Sequence, residues 1–393
     1  MMAKDWKTTI IGNVCKTNQQ SYSLSEKWPF VNYLDTGNIT EDHISEIQHV
    51  VTDHDTLPSR ARRKVAIGDI LFSTVRPNQR HYGMLKEVMP NMLVSTGFTV
   101  ITANKKVVDN VFLYYYLAQD AIVNNLHAIA EQSVSAYPSI KSSDIERLEI
   151  VLPPLPEQIT IGHILRALDD KIIVNSRINH HLEQIAQAIF NDWFIRFKEC
   201  KRFTDVVQIL GGGTPKTTTP EYWNGSIPFF TPKDISTTYI LTTEKFLTKI
   251  GLDNCNSRLY PINTVFVTAR GTVGKIALAG IPMAMNQSCY ALIGNDGYGQ
   301  YFIYHLVLRT LANLKNKASG AVFDAIVTRD FESETIFMPS TEEVSVFEEK
   351  VTPIYDAILN NSKESVRLAA LRDTLLPRLM SGELRVSDIE PDK

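Results

Sequence analysis

Cysteine is scarce and scattered in this chain of 393 residues: Cys15, Cys200, Cys255 and Cys289 form no Cys-x-x-Cys pair, and no histidine stands at zinc-finger spacing. This argues against a structural zinc site and against a secreted disulfide framework. Long apolar runs are missing too, because the most apolar stretch, residues 111–118, is too short to cross a membrane, and the N-terminus has no signal-peptide pattern. These absences predict a soluble cytoplasmic protein with reduced thiols and no membrane partner.

A strong charge of one sign is also absent. The formal net charge is −3, and the composition of 44% apolar and 21% charged residues is ordinary for a globular protein. A strongly basic chain would have pointed to nucleic acid directly, but only residues 200–338 carry an excess of basic side chains here. Any nucleic-acid surface must therefore be a local patch, which the composition permits but does not argue for.

Signatures of catalysis are missing as well. Residues 270–276 resemble a phosphate loop, but Ala269 stands where the first glycine is required. The glycines at 211–213 lack the spacing of a dinucleotide-binding fingerprint. Residues 53–55 and the histidines at 180–181 could bind a metal, but no third and fourth ligand stands at a suggestive spacing, and no nucleophile motif is present. We therefore predict no catalytic residue, no metal and no cofactor.

What the sequence does contain is a long internal repeat. Five segments recur in the same order, and the offset between the copies drifts slowly, as insertions and deletions in loops would make it. A period this long indicates a duplicated domain rather than a solenoid; chance similarity between two unrelated domains is the alternative. The matched segments are residues 30–39 with 228–235, 69–76 with 263–270, 112–114 with 302–304, 143–146 with 329–332, and Pro153 and Glu157 with Pro339 and Glu343.

Each copy has the same predicted secondary structure. Short β-type runs punctuated by Gly, Pro and Asn come first, then a helical stretch rich in aromatic residues, and then a short strand that ends at proline. The pattern predicts a mixed α+β domain with a mainly β core. The β-runs are 69–75, 92–101 and 264–268, the helical stretches are 109–130 and 301–317, and the closing strands are 148–152 and 334–338.

A long helix is predicted after each copy. Apolar residues recur at three- and four-residue steps through 157–194 and through 344–379. Each helix spans roughly 40 residues, or about 60 Å. Pro353 is expected to kink the second helix, and Pro377 with Gly382 to end it. Because an amphipathic helix of this length needs an apolar partner, the two are predicted to pair antiparallel; the alternative is that each folds back on its own domain as ordinary core.

Three stretches carry a resemblance to a known family. Residues 211–235, with Gly-Gly-Thr-Pro and Pro-Phe-Phe-Thr-Pro-Lys-Asp, look like the opening of a recognition domain in the specificity subunits of type I restriction–modification systems. Residues 152–159 resemble the junction into that family's central helix, and residues 375–384 resemble the end of its distal helix. With the duplication, the resemblance covers nearly the whole chain. The first copy lacks the Gly-Gly-Thr-Pro opening, which leaves the equivalence of residues 1–30 open.

The resemblance implies a non-catalytic subunit with pseudo-two-fold symmetry. Its parts would be a target recognition domain at 1–152, a central spacer helix at 153–199, a second recognition domain at 200–338, and a distal helix with a tail at 339–393. Each recognition domain would read one half of a bipartite, asymmetric site in double-stranded DNA. The paired helices would set the spacing and dock two modification (methyltransferase) subunits, with restriction (translocase–nuclease) subunits joining outside.

Candidate DNA contacts are polar, basic and aromatic residues on Gly- and Pro-rich loops. Arginine can pair bidentately with guanine, asparagine or glutamine with adenine, and basic clusters suit phosphates. Arg76 and Arg270 rank first because the repeat gives them equivalent positions, although each candidate could instead be a solvated surface residue. The predicted contacts are Arg60, Arg62, Arg63, Lys64, Arg76, Asn78, Gln79, Arg80, Tyr82, Ser135, Tyr137, Thr214, Lys216, Lys233, Arg270 and Lys275, with 319–323 as the counterpart of the loop 133–137.

Two other functions compete with this interpretation. A methyltransferase or nuclease would need an adenosylmethionine-binding loop and an Asn/Asp-Pro-Pro-aromatic motif, but the only Pro-Pro pair, Pro153-Pro154, follows Leu152, and two domains and two helices leave no length for a catalytic domain. A helical scaffold whose flanking domains bind protein is compatible with the composition. A steep fall of DNA affinity with salt would favour a DNA reader over this scaffold.

Overall fold

The structure is a computed structural model that describes residues 5–133, 137–194, 199–295, 297–317 and 325–388. Its contacts divide the chain into two compact units. The first contains the residues up to Asp170 together with those from Ala369 onward, and the second contains Lys171–Leu368. Each unit thus combines one predicted recognition domain with part of both long helices. The finer division, with borders after residues 152, 199 and 338, stays a prediction.

The first unit contains twelve strands and four short helices in the part of the chain that the structure describes, followed by the start of a long helix. They are β1 (Lys7–Ile10), α1 (Ile11–Val14), β2 (Cys15–Thr17), β3 (Phe30–Leu34), β4 (Ile39–Thr40), β5 (His43–Ile44), β6 (Gln48–Val51), β7 (Ala61–Lys64), β8 (Ile70–Ser73), β9 (Tyr82–Met84), β10 (Met92–Ser95), β11 (Phe98–Ala103), α2 (Asn110–Ala118), α3 (Asp120–Glu131), α4 (Ser142–Glu146), β12 (Glu149–Leu152) and the long helix α5 (Leu155–Phe194).

Two four-stranded sheets make up most of the β structure of the first unit. Their strand orders are β6-β3-β10-β7 and β2-β11-β8-β9, and β3 pairs with β10 in parallel while the other neighbours are antiparallel. The run 92–101, predicted as one β segment, is two strands in different sheets, because the chain turns at Thr96–Gly97. The stretch 109–130 is likewise two helices, since the backbone of Gln119 is extended between them.

The second unit contains ten strands, four further helices and the first part of the second long helix within the described residues. They are β13 (Glu199–Arg202), α6 (Phe203–Val206), β14 (Val207–Gly211), β15 (Trp223–Phe230), β16 (Tyr239–Ile240), β17 (Lys245–Leu247), α7 (Lys249–Asp253), β18 (Val265–Thr268), β19 (Ile276–Ala279), β20 (Ala284–Met285), β21 (Cys289–Gly294), α8 (Gln300–Lys317), α9 (Thr328–Glu332), β22 (Thr335–Met338) and α10 (Thr341–Ser381).

The strand pairing of the second unit repeats that of the first. The order β14-β21-β18-β19 corresponds to β2-β11-β8-β9, and β17-β15-β20 corresponds to β6-β3-β10 with its parallel pair in the same place. The pair β13-β22 corresponds to β1-β12. The predicted duplication is confirmed. It also extends into the first thirty residues, where β1, α1 and β2 match β13, α6 and β14.

The two long helices pack antiparallel within each unit, as predicted. In the first unit, Asp169 of α5 accepts a hydrogen bond of 2.7 Å from Arg372 of α10. In the second unit, Asn175 of α5 donates to the carbonyl oxygen of Asn361 at 3.3 Å, and further along the pair the rings of Phe190 and Phe347 lie 5.8 Å apart. Both helices also contribute to the domain cores, so the fold-back alternative describes part of their packing.

Helix α10 continues through both of its prolines. The expectation that Pro377 ends the helix is wrong, because α10 runs four residues further, to Ser381. A proline inside a helix removes one backbone hydrogen bond, and here the buried side chains of Leu379 and Met380 hold the last turn against the core. Gly382, with φ of +73°, ends the helix in the left-handed conformation that glycine favours, as predicted.

Burial shifts the pKa values of His305 and Glu348 in the second unit. His305 of α8 is 1% exposed, and its two ring nitrogens contact Gln187 Oε1 at 3.1 Å and the Tyr355 hydroxyl at 2.8 Å. Burial lowers the pKa of His305 to about 3. Glu348 accepts a hydrogen bond of 2.7 Å from the backbone N–H of Phe302, and burial raises the pKa of its carboxyl to about 7.

These two groups are expected to give opposite dependences of stability on pH. In the unfolded chain His305 is protonated below about pH 6.5, whereas in the folded unit it stays neutral down to about pH 3. The stability of the folded unit therefore falls as the pH drops below 6.5. In the unfolded chain Glu348 is ionised above about pH 4.5, whereas in the folded unit it stays protonated up to about pH 7. The stability of the folded unit therefore falls as the pH rises from 4.5 to 7. Between pH 5 and 6.5, Glu348→Gln is therefore expected to show stability rising with pH, and His305→Gln stability falling with pH, each by up to about 1.4 kcal/mol per pH unit.

Hydrogen exchange of the amides in α8, corrected for the intrinsic exchange rate at each pH, measures this stability within the full chain. The exposed His181→Gln is the matched control and should keep the wild-type profile. Parallel profiles for Glu348→Gln and His305→Gln would show that the two groups do not titrate as their burial requires.

Candidate functional site

In the first unit, polar loops meet where strands of the two sheets end. The backbone N–H of Thr74, after β8, donates to the carbonyl oxygen of Gly97 at 2.7 Å. The N–H of Thr96, after β10, donates to the carbonyl oxygen of Arg60 at 2.9 Å. Arg60 and Thr96 are exposed. Because these turns bond to each other, Arg60 lies beside the loop that carries Arg76.

The loop after β8 contains a short 3-10 turn, Pro77–Gln79, that presents Asn78 and Gln79 to solvent. Arg76 and Arg80 flank this turn, and both adopt left-handed backbone conformations, with φ of +46° and +55°. The N–H of Arg76 donates to the Pro138 carbonyl oxygen at 2.9 Å. Its guanidinium lies 5.5 Å from the ring centroid of Tyr137, which is 61% exposed. The turn therefore projects two amide side chains beside an arginine–tyrosine pair.

Two predicted contacts in the same loop have partners within the first unit. Tyr82 is 3% exposed, and its ring stacks on Phe72 at 5.5 Å. Burial raises the pKa of Tyr82 to about 12, so the phenol stays neutral. Arg80 forms ion pairs with Glu41 at 3.2 Å and with Asp120 at 2.5 Å. Both side chains are thus occupied by partners inside the first unit.

The basic run on β7 is only half exposed. Arg62 donates to the carbonyl oxygen of Ala61 at 2.9 Å. The Nε of Arg63 is buried without a hydrogen-bond partner among the described residues, and burial lowers the pKa of its guanidinium. Lys64 forms an ion pair of 2.6 Å with Glu26 and lies 5.2 Å from the ring of Trp28. The charge of this run is therefore partly offset within the protein.

In the second unit, the glycine-rich loop after β14 packs tightly on the segment after β20. The N–H of Gly213 donates to the carbonyl oxygen of Met285 at 3.2 Å, and the hydroxyl of Thr214 donates to Gln287 Oε1. Lys216 is exposed, and its carbonyl oxygen accepts a hydrogen bond of 3.1 Å from the indole of Trp223. The Gly-Gly-Thr-Pro motif thus forms a supported loop with exposed polar side chains.

The other predicted contacts of the second unit lie on turns after β15 and β18. The backbone N–H groups of Ala269 and Arg270 donate to the carbonyl oxygen of Ser288, at 2.8 and 3.3 Å. The N–H of Lys275 donates to the Thr268 hydroxyl at 3.0 Å. Lys233 lies in the 3-10 turn directly after β15. The side chains of Arg270, Lys275 and Lys233 are all exposed.

Hydrogen bonding shifts the equivalence of the two leading arginines by one residue. The carbonyl oxygen of Thr74 accepts from Ile140 N, as that of Ala269 accepts from Ile326 N. Counting on from these residues, Val75 corresponds to Arg270, and Arg76 corresponds to Gly271. Both Arg76 and Gly271 have positive φ. The predicted match of Arg76 with Arg270 is therefore wrong, because side-chain similarity does not report strand register.

Sequence reasoning missed the polar residues at the turns that follow β10 and β20. Thr96 in the first unit, and Gln287 with Ser288 in the second, border the loops described above. The sequence signal that could have identified these residues is a polar side chain directly after a buried strand. Ser135 and the counterpart loop 319–323 lie outside the described residues.

Among the described residues, no group of three or more His, Cys, Asp or Glu side chains is placed to hold a metal ion. In the same ranges, no helix is long and apolar enough to cross a membrane.

Comparisons with known proteins identify the family. The type I restriction modification DNA specificity domain matches twice, at residues 3–184 and 198–367. The specificity subunit of the type I restriction enzyme HindI from Haemophilus influenzae is 26% identical over 97% of this chain and 100% of its own length. That of MjaIX from Methanocaldococcus jannaschii is 26% identical over 98% and 95%.

A solved structure shares the fold. The crystal structure of a type I restriction–modification S subunit from M. genitalium is 14% identical and covers 95% of this chain and 96% of its own, with a TM-score of 0.58. The two domain matches agree with the duplicated strand order of the two units. The chain therefore belongs to the specificity subunits of type I restriction–modification systems, as a non-catalytic protein that recognises DNA sequence and assembles with the other subunits.

Proposed function

We propose that each recognition domain reads one half of a bipartite, asymmetric site in double-stranded DNA. The observation that carries this proposal is that the same strand topology supports a polar loop cluster in both units, with different side chains in each. The first cluster carries Arg76, Asn78 and Gln79, whereas the second carries Arg270 and Thr214. Two domains with the same fold but different exposed side chains are suited to recognise two different DNA sequences.

The exposed candidates divide by the chemistry of their side chains. Arg76, Asn78, Gln79 and Arg270 are proposed to read base edges, because arginine and amide side chains can make bidentate pairs in the major groove. Arg62, Arg63, Lys64, Arg80 and Tyr82 have partners or burial inside the first unit and are proposed to support the loops. The proposed phosphate or sugar contacts are Arg60, Tyr137, Thr214, Lys216, Lys233 and Lys275.

The helices are proposed to set the spacing of the two half-sites and to dock two modification subunits, with restriction subunits joining outside. Helix α5 supports docking because Val174, Ile178 and Ile185 expose 44%, 42% and 50% of their surface. Their spacing of four and seven residues places them on one face of the helix. An exposed apolar stripe on a charged helix is typical of a surface that a partner covers.

Co-expression with the neighbouring modification subunit, followed by long-read mapping of methylated adenines, tests this function. We expect a split motif of two short blocks around a fixed gap. A continuous motif, or none from a well-formed complex, would favour the protein-binding scaffold. DNA affinity of the complex should also fall steeply with salt, whereas a scaffold would be indifferent.

Arg76→Ala and Arg270→Ala should each weaken one half-site only. Alanine keeps a Cβ at position 76, so the backbone at this positive φ keeps the strain that it already has with arginine. Loss of one bidentate arginine contact is expected to cost about 1–3 kcal/mol of discrimination at one base. Methylation of DNA libraries randomised in each block measures this effect. Equal relaxation of both blocks by either variant would contradict the assignment.

A further inference from the structure

Arg80 differs from Arg76, the other arginine of the loop after β8, because its guanidinium forms ion pairs with two carboxylates. Its Nη1 lies 3.2 Å from Glu41 Oε1, and its Nη2 lies 2.5 Å from Asp120 Oδ1. Nη1 also donates to the Tyr82 hydroxyl at 3.3 Å. The hydrogen bond to Asp120 raises the pKa of Arg80, so the cation persists. Two carboxylates offset this charge, which leaves little attraction for a phosphate.

Backbone hydrogen bonds, together with the ion pair to Asp120, connect the exposed turn Pro77–Gln79 to the rest of the unit. The carbonyl oxygen of Arg80 accepts from Glu41 N at 3.0 Å, and that of Tyr82 accepts from Asp42 N at 3.0 Å. Asp120 begins helix α3. Arg80 therefore joins the turn on one side to the segment at 41–42 and on the other to a helix.

The turn needs such support because its backbone is strained. Arg76 and Arg80, at its two ends, both have φ in the left-handed region that non-glycine residues rarely adopt. Such conformations persist where the surrounding structure holds them. In the second unit the equivalent turn begins and ends with Gly271 and Gly274, which adopt positive φ without this penalty. Only the first turn therefore depends on support from outside the turn, which the ion pairs of Arg80 with Glu41 and Asp120 supply (the clamp).

The clamp continues to the long helix within the same unit. Asp42 adjoins Glu41 and forms an ion pair of 2.9 Å with Arg166 of α5, and both side chains are 12% exposed. The exposed turn is thus connected to α5 through neighbouring polar contacts.

We propose that Arg80 is a positioning residue, which holds Asn78 and Gln79 in place through Glu41 and Asp120 and does not itself contact DNA. This inference rests on the proposed function, since it assigns how the first recognition domain keeps its sequence preference. The second half-site is an internal control on the same DNA molecule.

Four variants test the role of Arg80 in the complex with its modification subunit. Arg80→Ala and the double variant Glu41→Gln with Asp120→Asn should both relax several positions of the first half-site, and lower methylation there by roughly 5- to 30-fold. Arg80→Lys should restore part of the loss because it keeps one cation. Glu87→Gln, an exposed carboxylate change, is the matched control. The slope of log affinity against log salt should stay at the wild-type value in all four.

A direct DNA contact predicts a different pattern. Arg80→Ala would then reduce the salt slope by about 0.9. Neutralising Glu41 and Asp120 would free the guanidinium and tighten binding, and this result would overturn the proposal. Equal loss at both half-sites would overturn it as well, because it indicates general destabilisation. If the wild-type complex shows no split motif, the proposed function itself fails; a wild-type split motif that Arg80→Ala leaves unchanged defeats only this inference.

Discussion

Replacing Gly212 with alanine is expected to weaken recognition of one half-site strongly and to leave the other unchanged. A Cβ atom at this position would lie 2.2 Å from the carbonyl oxygen of Asn286 and 2.5 Å from that of Met285. Both neighbours are backbone atoms, so no side chain can rotate away. The segment that must shift carries Gln287 and Ser288, which support Thr214 and Arg270. The substitution therefore displaces the whole loop cluster of the second unit.

Crowding of this kind costs about 1–3 kcal/mol, which corresponds to roughly a 5- to 150-fold loss of methylation. The measurement is the methylated fraction at sites altered in one block or the other, together with thermal unfolding of the variant. Gly211→Ala is the matched control, because no heavy atom lies within 4 Å of its added Cβ. A Gly212→Ala complex with wild-type selectivity in both blocks would show that this contact does not position the loops.

Replacing Asp42 with asparagine is expected to destabilise the first unit strongly. Asp42 and Arg166 form a nearly buried ion pair of 2.9 Å, and Asp42 Oδ1 also accepts from the backbone N–H of Met84 at 2.8 Å. Burial raises the pKa of Asp42 by disfavouring its carboxylate, so the cost of the substitution arises at Arg166, whose nearly buried charge loses a partner. Removing one member of such a pair leaves a buried charge with less compensation, at a cost of about 3–5 kcal/mol. The expected cost lies near the lower end of this range, because Asp170, 3.2 Å from Arg166, still compensates part of its charge.

Asparagine is the sharpest replacement because it tolerates the positive φ of residue 42 and can keep the bond from Met84. Hydrogen exchange in denaturant, followed separately in peptides of the two units, measures the effect. Lys86→Ala is the control, since Lys86 is 44% exposed and lies 3.7 Å from Asp42. That change should cost no more than about 1 kcal/mol. Equal effects of Asp42→Asn and Lys86→Ala would mean that the buried pair contributes little.

Much of the architecture could be predicted because its signals are local or periodic. The two helices follow from apolar residues at three- and four-residue steps, and the structure places them at Leu155–Phe194 and Thr341–Ser381. The duplication follows from the order of short segments. The boundaries of the elements were less predictable. The breaks at Thr96–Gly97 and at Gln119 depend on which sheet or core each segment joins. The helix continues past Pro377 because its last turn packs against the core.

The sequence by itself determined the family, the duplicated domains and the paired helices, because these are properties of residue order and spacing. Only the tertiary structure decided which candidate side chains face solvent. Arg76 and Arg80 lie four residues apart, yet one guanidinium lies beside an exposed tyrosine while the other is held by Glu41 and Asp120. Likewise, strand register makes Val75, and not Arg76, the residue equivalent to Arg270 in the repeat. Register and burial arise from contacts between residues far apart in the chain, which no local pattern encodes.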